Sequence, residues 1–188
     1  MAINRQVRPV FPPELRLTGA GLVLREWTDA DLPEMVALFD EPEIARWTPL
    51  RSPFDLGAAE EYLVKARRSR VLDLRIQLAI TTDGGRPKGE VLLIAQAPGD
   101  ALCSIGYTIG AIHRGQRLAA RAVRVLTDYA HLTLNLPRVT LEIEAENTAS
   151  NAVARAAGYH LTDHPPIPGL AKGRPYTLHT WAHDHPRP

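Results

Sequence analysis

Cysteine is almost missing from these 188 residues, where Cys103 stands alone. A lone cysteine excludes an intrachain disulfide and argues against a thiolate metal cluster. Charge of either sign is not in excess. Lys and Arg number 22 against 21 Asp and Glu, a formal net charge of +1, so bulk attraction to nucleic acid or to a membrane surface is not expected. No apolar run approaches the ~20 residues of a membrane-spanning helix, and no N-terminal stretch has the charged-then-apolar pattern of a secretion signal. A reducing, cytoplasmic setting is the expectation. The Walker A lysine motif and the G-x-G-x-x-G dinucleotide fingerprint are absent, as are internal repeats and low-complexity tracts.

What is present is ordinary for a globular chain: 45% hydrophobic and 23% charged residues, enough to bury a core without staples. The length fits one domain. Sixteen prolines gather toward both ends. Residues 1–14 read as an extended arm, 15–182 as the domain and 183–188 as a fraying tail.

Within the domain, Leu15-Arg16-Leu17 and Leu22-Val23-Leu24-Arg25 read as two strands joined by a turn. Thr28, with Asp31 three residues on, caps a helix that buries Leu32, Met35, Val36 and Phe39. Pro42 limits that helix, and 43–53 read as irregular. Ser52 or Asp55 caps the next helix, about Leu56 to Arg70. Its Lys65, Arg67, Arg68 and Arg70 form a solvated face rather than a nucleic-acid patch. Leu72–Thr81, Gly89–Ala95 and Leu102–Ile109 form an antiparallel meander, turned at Asp83-Gly84-Gly85 and Pro98-Gly99-Asp100.

The stretch Ile105–Tyr129 organises the rest. A strand hands over through His113-Arg114-Gly115-Gln116-Arg117 to a helix with apolar Leu118, Ala122, Val125, Leu126 and Tyr129. Unpaired N–H groups and the dipole at such a helix start suit an anion, although an ordinary strand-to-helix turn has the same spacing. Val139–Ala145 alternates strictly, with Leu141 and Ile143 on one face and Glu142 and Glu144 on the other. It closes a βαβ unit, so its strand lies parallel to 105–109. A short helix runs from Ser150 to about Ala157, with Gly158 as its terminator, and strands follow at Tyr159–Leu161 and Tyr176–Trp181. The expected fold is mixed α/β (α+β). A mostly antiparallel sheet of about six or seven strands carries a parallel, splayed pair at its middle and helices on both faces.

Two segments, GYTIGAIHRGQRLAARAV and EAENTASNAVARAAGY, resemble the paired signatures of the GNAT acetyltransferase superfamily. The branch they resemble is that of ribosomal-protein N-terminal alanine acetyltransferases (the RimJ/RimL type). LVLREWTDADLPEMVALF is similar to that family's opening strand and helix. The resemblance implies an acyltransferase that takes acetyl-CoA as co-substrate, uses no metal, and transfers to a primary amine, either a protein N-terminus or a small molecule. Transfer of a longer acyl group and a non-catalytic acyl-CoA-binding or sensory module are the alternatives. No nucleic-acid or membrane partner is expected, and a homodimer is left open.

The same resemblance assigns roles. The cofactor pyrophosphate would lie on a Q/R-x-x-G-x-G/A loop, matched by Arg114, Gly115, Gln116, Arg117, Leu118 and Ala119, with Arg117 standing where the pattern has its first glycine. Pantetheine would insert between the splayed strands, meeting backbone near Ile109 and Ala111. Asn147 and Asn151 would contact the cofactor arm or order the splay, and both also suit Asx turns and helix caps. Many members use a tyrosine acid in the last short helix, where this chain has Ala154; Ser150 of the E-N-x-x-S motif takes that place, and also suits an N-cap. For the base, Glu142, Glu144, Glu90 and Tyr107 are candidates, or the amine sheds its proton through water. His179, His183 and His185 do not make a metal site on a strand, where i and i+4 are roughly 13 Å apart. Cys103 reads as a small core residue.

Overall fold

The structure is a computed structural model and describes residues 9–95 and 102–185. The expected Pro98-Gly99-Asp100 turn and residues 186–188 of the tail lie outside them. Five α-helices and nine strands occur among the described residues. The strands are β1 (Leu17–Gly19), β2 (Leu22–Glu26), β3 (Arg75–Thr81), β4 (Gly89–Ala95), β5 (Leu102–Ile109), β6 (Arg138–Glu144), β7 (His160–Leu161), β8 (Ile167–Ala171) and β9 (Arg174–Asp184). They form one sheet in the order β1-β2-β3-β4-β5-β6-β9-β7, with β8 paired to β9. Only β5 and β6 run parallel; the other pairs are antiparallel.

Nine strands exceed the expected six or seven. The addition that matters is the β8–β9 hairpin. Its first strand reads Ile167-Pro168-Gly169-Leu170-Ala171, which looks like a loop because proline cannot donate to a ladder. At an edge that loss is harmless, and β8 pairs with β9 alone.

The helices are α1 (Leu32–Phe39), α2 (Pro42–Trp47), α3 (Leu56–Val71), α4 (Leu118–Leu132) and α5 (Thr148–Ala156). Helix α1 follows a short 3-10 turn at Asp29–Asp31, where Asp31 Oδ2 accepts the Thr28 N–H at 2.9 Å. Helix α2 is a correction. The first helix ends at Phe39, before Pro42, as expected; the stretch from 43 was expected to be irregular, but Pro42 opens a further helix at its first position, where the missing N–H costs nothing. Asp55, not Ser52, caps α3 by accepting from the Ala58 N–H at 2.8 Å. No described helix is long and apolar enough to cross a membrane.

The sheet divides two cores. On one face α4 and α5 cover Leu24, Leu78, Val91, Cys103 and Leu141, with Val123, Leu126 and Ala154 supplied by the helices. On the other, α1, α2 and α3 close over Ala79 with Met35, Phe39, Ile44, Phe54 and Leu63. Each fully buried leucine here stabilises by about 1.5–3 kcal/mol relative to exposure. Burial pushes the Cys103 thiol up to about 11, consistent with an unreactive core residue.

Candidate active site

Strands β5 and β6 pair only at Leu102↔Arg138, Cys103↔Val139 and Ser104↔Thr140. Beyond Ser104 they part. β5 continues to Ile109 on β4, and β6 continues to Glu144 on β9. The parting frees backbone N–H and C=O groups along the facing edges, which need a partner. A cleft of about 490 Å³ opens there. Tyr107, Thr108 and Ile109 form one wall, and Asn147, Ala149, Ser150 and Val153 the other. The start of α4 closes one end, and Ile44, Trp47 and Thr48 of the α2 region stand at the cleft as well.

The α4 end is built for an anion. Gly115 has φ +77 with nothing within 4 Å of a Cβ built there, so glycine serves its conformation and not its space. Arg117, the N-cap, has φ 56 and ψ 22, a left-handed conformation. The loop therefore takes a glycine-like shape at the position where a glycine was expected. No side chain caps α4. Its first N–H groups lack helical partners, and the dipole adds to their pull on negative charge. Gly115, Arg117, Leu118 and Ala119 line the cleft here.

Arg114 lines the cleft too, but α2 claims its side chain. It donates to Glu41 at 2.7 Å and also pairs with Glu43. The Ala111 N–H, expected to be open to a cofactor, donates to Glu41 Oε1 at 2.9 Å. Ala111 and Gln116 are not among the lining residues.

On the opposite wall, Asn147 caps α5: its Oδ1 accepts the Ser150 N–H at 3.0 Å. The helix begins at Thr148, two residues before the expected start, and Ser150 lies inside its first turn instead of capping it. That places Ser150 on the cleft. Asn151 is 9% exposed and turned inward. Its Nδ2 donates to the carbonyls of Glu144, Ala145 and Asn147 at 3.2, 3.1 and 2.8 Å, tying the end of β6 to α5. Ala154 is fully buried and does not line the cleft.

The proton-transfer candidates separate. Tyr107 lines the cleft and donates its O–H to the Ser150 carbonyl at 3.2 Å. Burial pushes this phenol up to about 12, so near neutral pH it is a donor. Glu144 receives Arg174 through both carboxylate oxygens at 2.7 Å, which lowers its pKa. Neither Glu142 nor Glu144 lines the cleft. Glu90 is sealed beneath α1 and α3, where it accepts the Trp27 Nε1–H at 2.9 Å and the Tyr62 O–H at 2.6 Å. Burial raises it to about 7.

Two features escaped the sequence reading. Arg46 and Arg174 both approach the Trp47 ring, at 4.6 and 5.8 Å from its centre, and Lys172 donates to the Ala45 carbonyl at 2.6 Å. The β8–β9 hairpin thereby fixes α2 over the cleft. The Arg174 and Lys172 contacts join residues more than 120 positions apart, so no local pattern announces them. His113 also lines the cleft, and burial lowers its pKa, leaving a neutral imidazole; its proximity to the Arg-Gly loop was the only sequence signal.

A parted parallel strand pair with an uncapped helix start at its mouth makes a cleft suited to an extended ligand that carries an anionic group. The comparisons give the family. Residues 21–160 match the model of the acetyltransferase (GNAT) domain, and the chain belongs to that family. It is 28% identical over 138 residues to an uncharacterized N-acetyltransferase p20 of Bacillus licheniformis, covering 69% of this chain and 73% of that one. Among solved structures it resembles a putative ribosomal-protein-serine acetyltransferase from Vibrio cholerae, with TM-score 0.78, 20% identity, and coverage of 92% and 99% of the two chains. It also resembles Mycobacterium smegmatis RimJ in complex with CoA-disulfide, with TM-score 0.76, 17% identity, and coverage of 91% and 86%. The RimJ/RimL-type fold expected from the sequence is thus the one observed.

Proposed function

We propose that the cleft binds acetyl-CoA and that the chain transfers the acetyl group directly to a primary amine held in the same complex. The parting of β5 and β6 directly before the uncapped start of α4 carries this reading. The CoA-disulfide complex of the RimJ relative supports it. The backbone N–H groups of 115–120 would take the pyrophosphate. The freed edge of Tyr107–Ile109 would take the amides of the pantetheine arm. Asn147 and Asn151 order the opposite wall.

In the transfer, the amine nitrogen attacks the thioester carbonyl, the C–S bond breaks, and the thiolate needs a proton. Ser150 is the side chain assigned to relay that proton, passing its own to the thiolate and regaining one from the water that takes the amine's proton, since it lines the cleft opposite Tyr107. Tyr107 positions the Ser150 segment through its carbonyl. Glu142 and Glu144 stand off the cleft, and the amine loses its proton through water; positioning supplies the remaining acceleration. The acceptor enters beside Trp47 and Thr48.

Calorimetry with acetyl-CoA and longer acyl-CoAs, followed by thiol release over a panel of N-terminal peptides and small amines, tests the reading. Acetyl-CoA binds in the micromolar range, and at least one amine releases thiol. Ser150→Ala lowers kcat by about 10–100-fold with the acetyl-CoA affinity preserved. Binding without turnover on any amine would favour the acyl-CoA-binding module, and tighter binding of a longer chain the longer-acyl transferase.

A further inference from the structure

A second cavity, of about 280 Å³, lies apart from the cleft beneath the C-terminal half of α3. Its apolar lining comes from Trp27, Leu63, Ala66 and Val71. Its polar lining has an unusual deficit. Arg70 is 8% exposed and Gln77 6%, yet Arg70 Nε and Nη1 have no hydrogen-bond partner, and Gln77 Nε2, though beside Glu90 and Tyr62, makes no hydrogen bond of ordinary geometry. All three are donors, and each buried donor left unpaired costs about 1–3 kcal/mol.

The deficit is one of acceptors and not of charge. Arg70 Nη2 already pairs with Glu26, which also lines the cavity. Arg67, the other lining cation, is held by Asp29 at 2.9 and 3.0 Å. An added carboxylate would bring uncompensated negative charge beside Glu26, whose own carboxyl is raised by burial. A neutral carbonyl oxygen satisfies the donors without that cost. At ~30 Å³ per water, the volume equals about nine waters, room for a ring and one polar group.

We propose that this cavity is a binding site for a small neutral molecule carrying a carbonyl oxygen on an apolar ring. The ring lies along Trp27 and Leu63, and the oxygen accepts from Arg70 and Gln77. Trp27 supplies the reporter. Its indole lines the cavity while its N–H is fixed on Glu90, whereas Trp47 lies in the other cleft.

The test uses benzamide as the probe and benzoate as its charged counterpart, on the full chain labelled with nitrogen-15. The three tryptophan indole signals are followed by NMR, that of Trp27 being assigned with Trp27→Phe. Benzamide shifts the Trp27 signal saturably with a Kd below about 10 mM and leaves Trp47 unmoved; benzoate binds at least about tenfold more weakly. Arg70→Met and Gln77→Leu, checked for folding by the rest of their spectra, each weaken benzamide about tenfold. Four results overturn the proposal: no saturable shift in the wild type, a shift at Trp47 in place of Trp27, benzoate binding as well as benzamide, or affinity unchanged in both folded variants.

Discussion

Arg117 offers the sharpest perturbation of the cofactor loop. At φ 56 and ψ 22 its side chain bears a left-handed backbone, which costs about 1–2 kcal/mol. Glycine removes that cost but loses about 0.4–1 kcal/mol through the greater freedom of the unfolded chain. Arg117→Gly therefore stabilises by about 0.5–1 kcal/mol. For a chain of this size that is a rise in Tm of about 1–4 °C. Arg117→Ala keeps the strain and removes only the guanidinium, so it falls below Arg117→Gly by about 1 kcal/mol. Scanning calorimetry of the three proteins measures both differences. Acetyl-CoA titration of the same proteins then separates backbone from side chain. If N–H groups carry the pyrophosphate, both variants bind within about threefold of the wild type, the range of an exposed ion pair. Equal stability of the Ala and Gly variants would refute the strain argument, and a common loss of affinity beyond about tenfold would make the guanidinium the phosphate ligand.

Other outcomes follow from the buried polar groups. Glu90, raised from 4.5 to about 7 by burial, holds its proton in the folded chain below about pH 7. Its contribution to stability is complete below the unfolded value and is lost as pH rises through about 7, a swing of about 3 kcal/mol at about 1.36 kcal/mol per unit. Glu90→Gln, which does not titrate, therefore gains on the wild type between pH 4.5 and 8 in denaturant titrations, and parallel profiles would contradict this. His131 donates its Nδ1–H to the Leu136 carbonyl at 2.7 Å, so in its neutral form its Nε2 accepts from His183 Nδ1 at 3.0 Å. His183 is lowered by burial and then by His131. Its contribution is present above about 6.5 and is lost as pH falls, so His183→Gln flattens the stability profile between pH 7 and 5; an unchanged slope would count against it. Asn151→Leu removes the amide that donates to three carbonyls; those of Glu144 and Asn147 keep backbone donors, so the cost is about 1–3 kcal/mol, chiefly at Ala145. It also weakens acetyl-CoA binding, and a variant with wild-type stability would remove Asn151 from its ordering role.

The features that position the cleft were legible because local chemistry announces them. Strict alternation in β6 and the glycine loop before α4 placed the parallel pair and the helix start. The E-N-x-x-S segment placed Asn147, Ser150 and Asn151 on one turn. Within that turn Asn147, Ser150 and Asn151 all suit a helix cap, and only the fold shows that Asn147 is the one. Pro42 announces the limit of α1 but not the start of α2, and Pro168 hides β8: at a helix's first position and on an edge strand, proline gives up nothing. Arg174 meets Trp47 only through tertiary packing, as Tyr107 does Ser150. Glu90 shows the same limit from the other side. From the sequence it is one candidate base among several, and only the fold shows that Trp27 and Tyr62 bury it.

The central claim is that the parted strands and the α4 start receive acetyl-CoA. A crystal structure of the chain grown with acetyl-CoA tests it most directly. The pyrophosphate is expected within hydrogen-bond distance of the backbone N–H groups of 115–120, with the pantetheine arm along Tyr107–Ile109 and the acetyl group facing Ser150. Acetyl-CoA bound outside the β5–β6 cleft, or the cleft empty at saturating ligand, would contradict it.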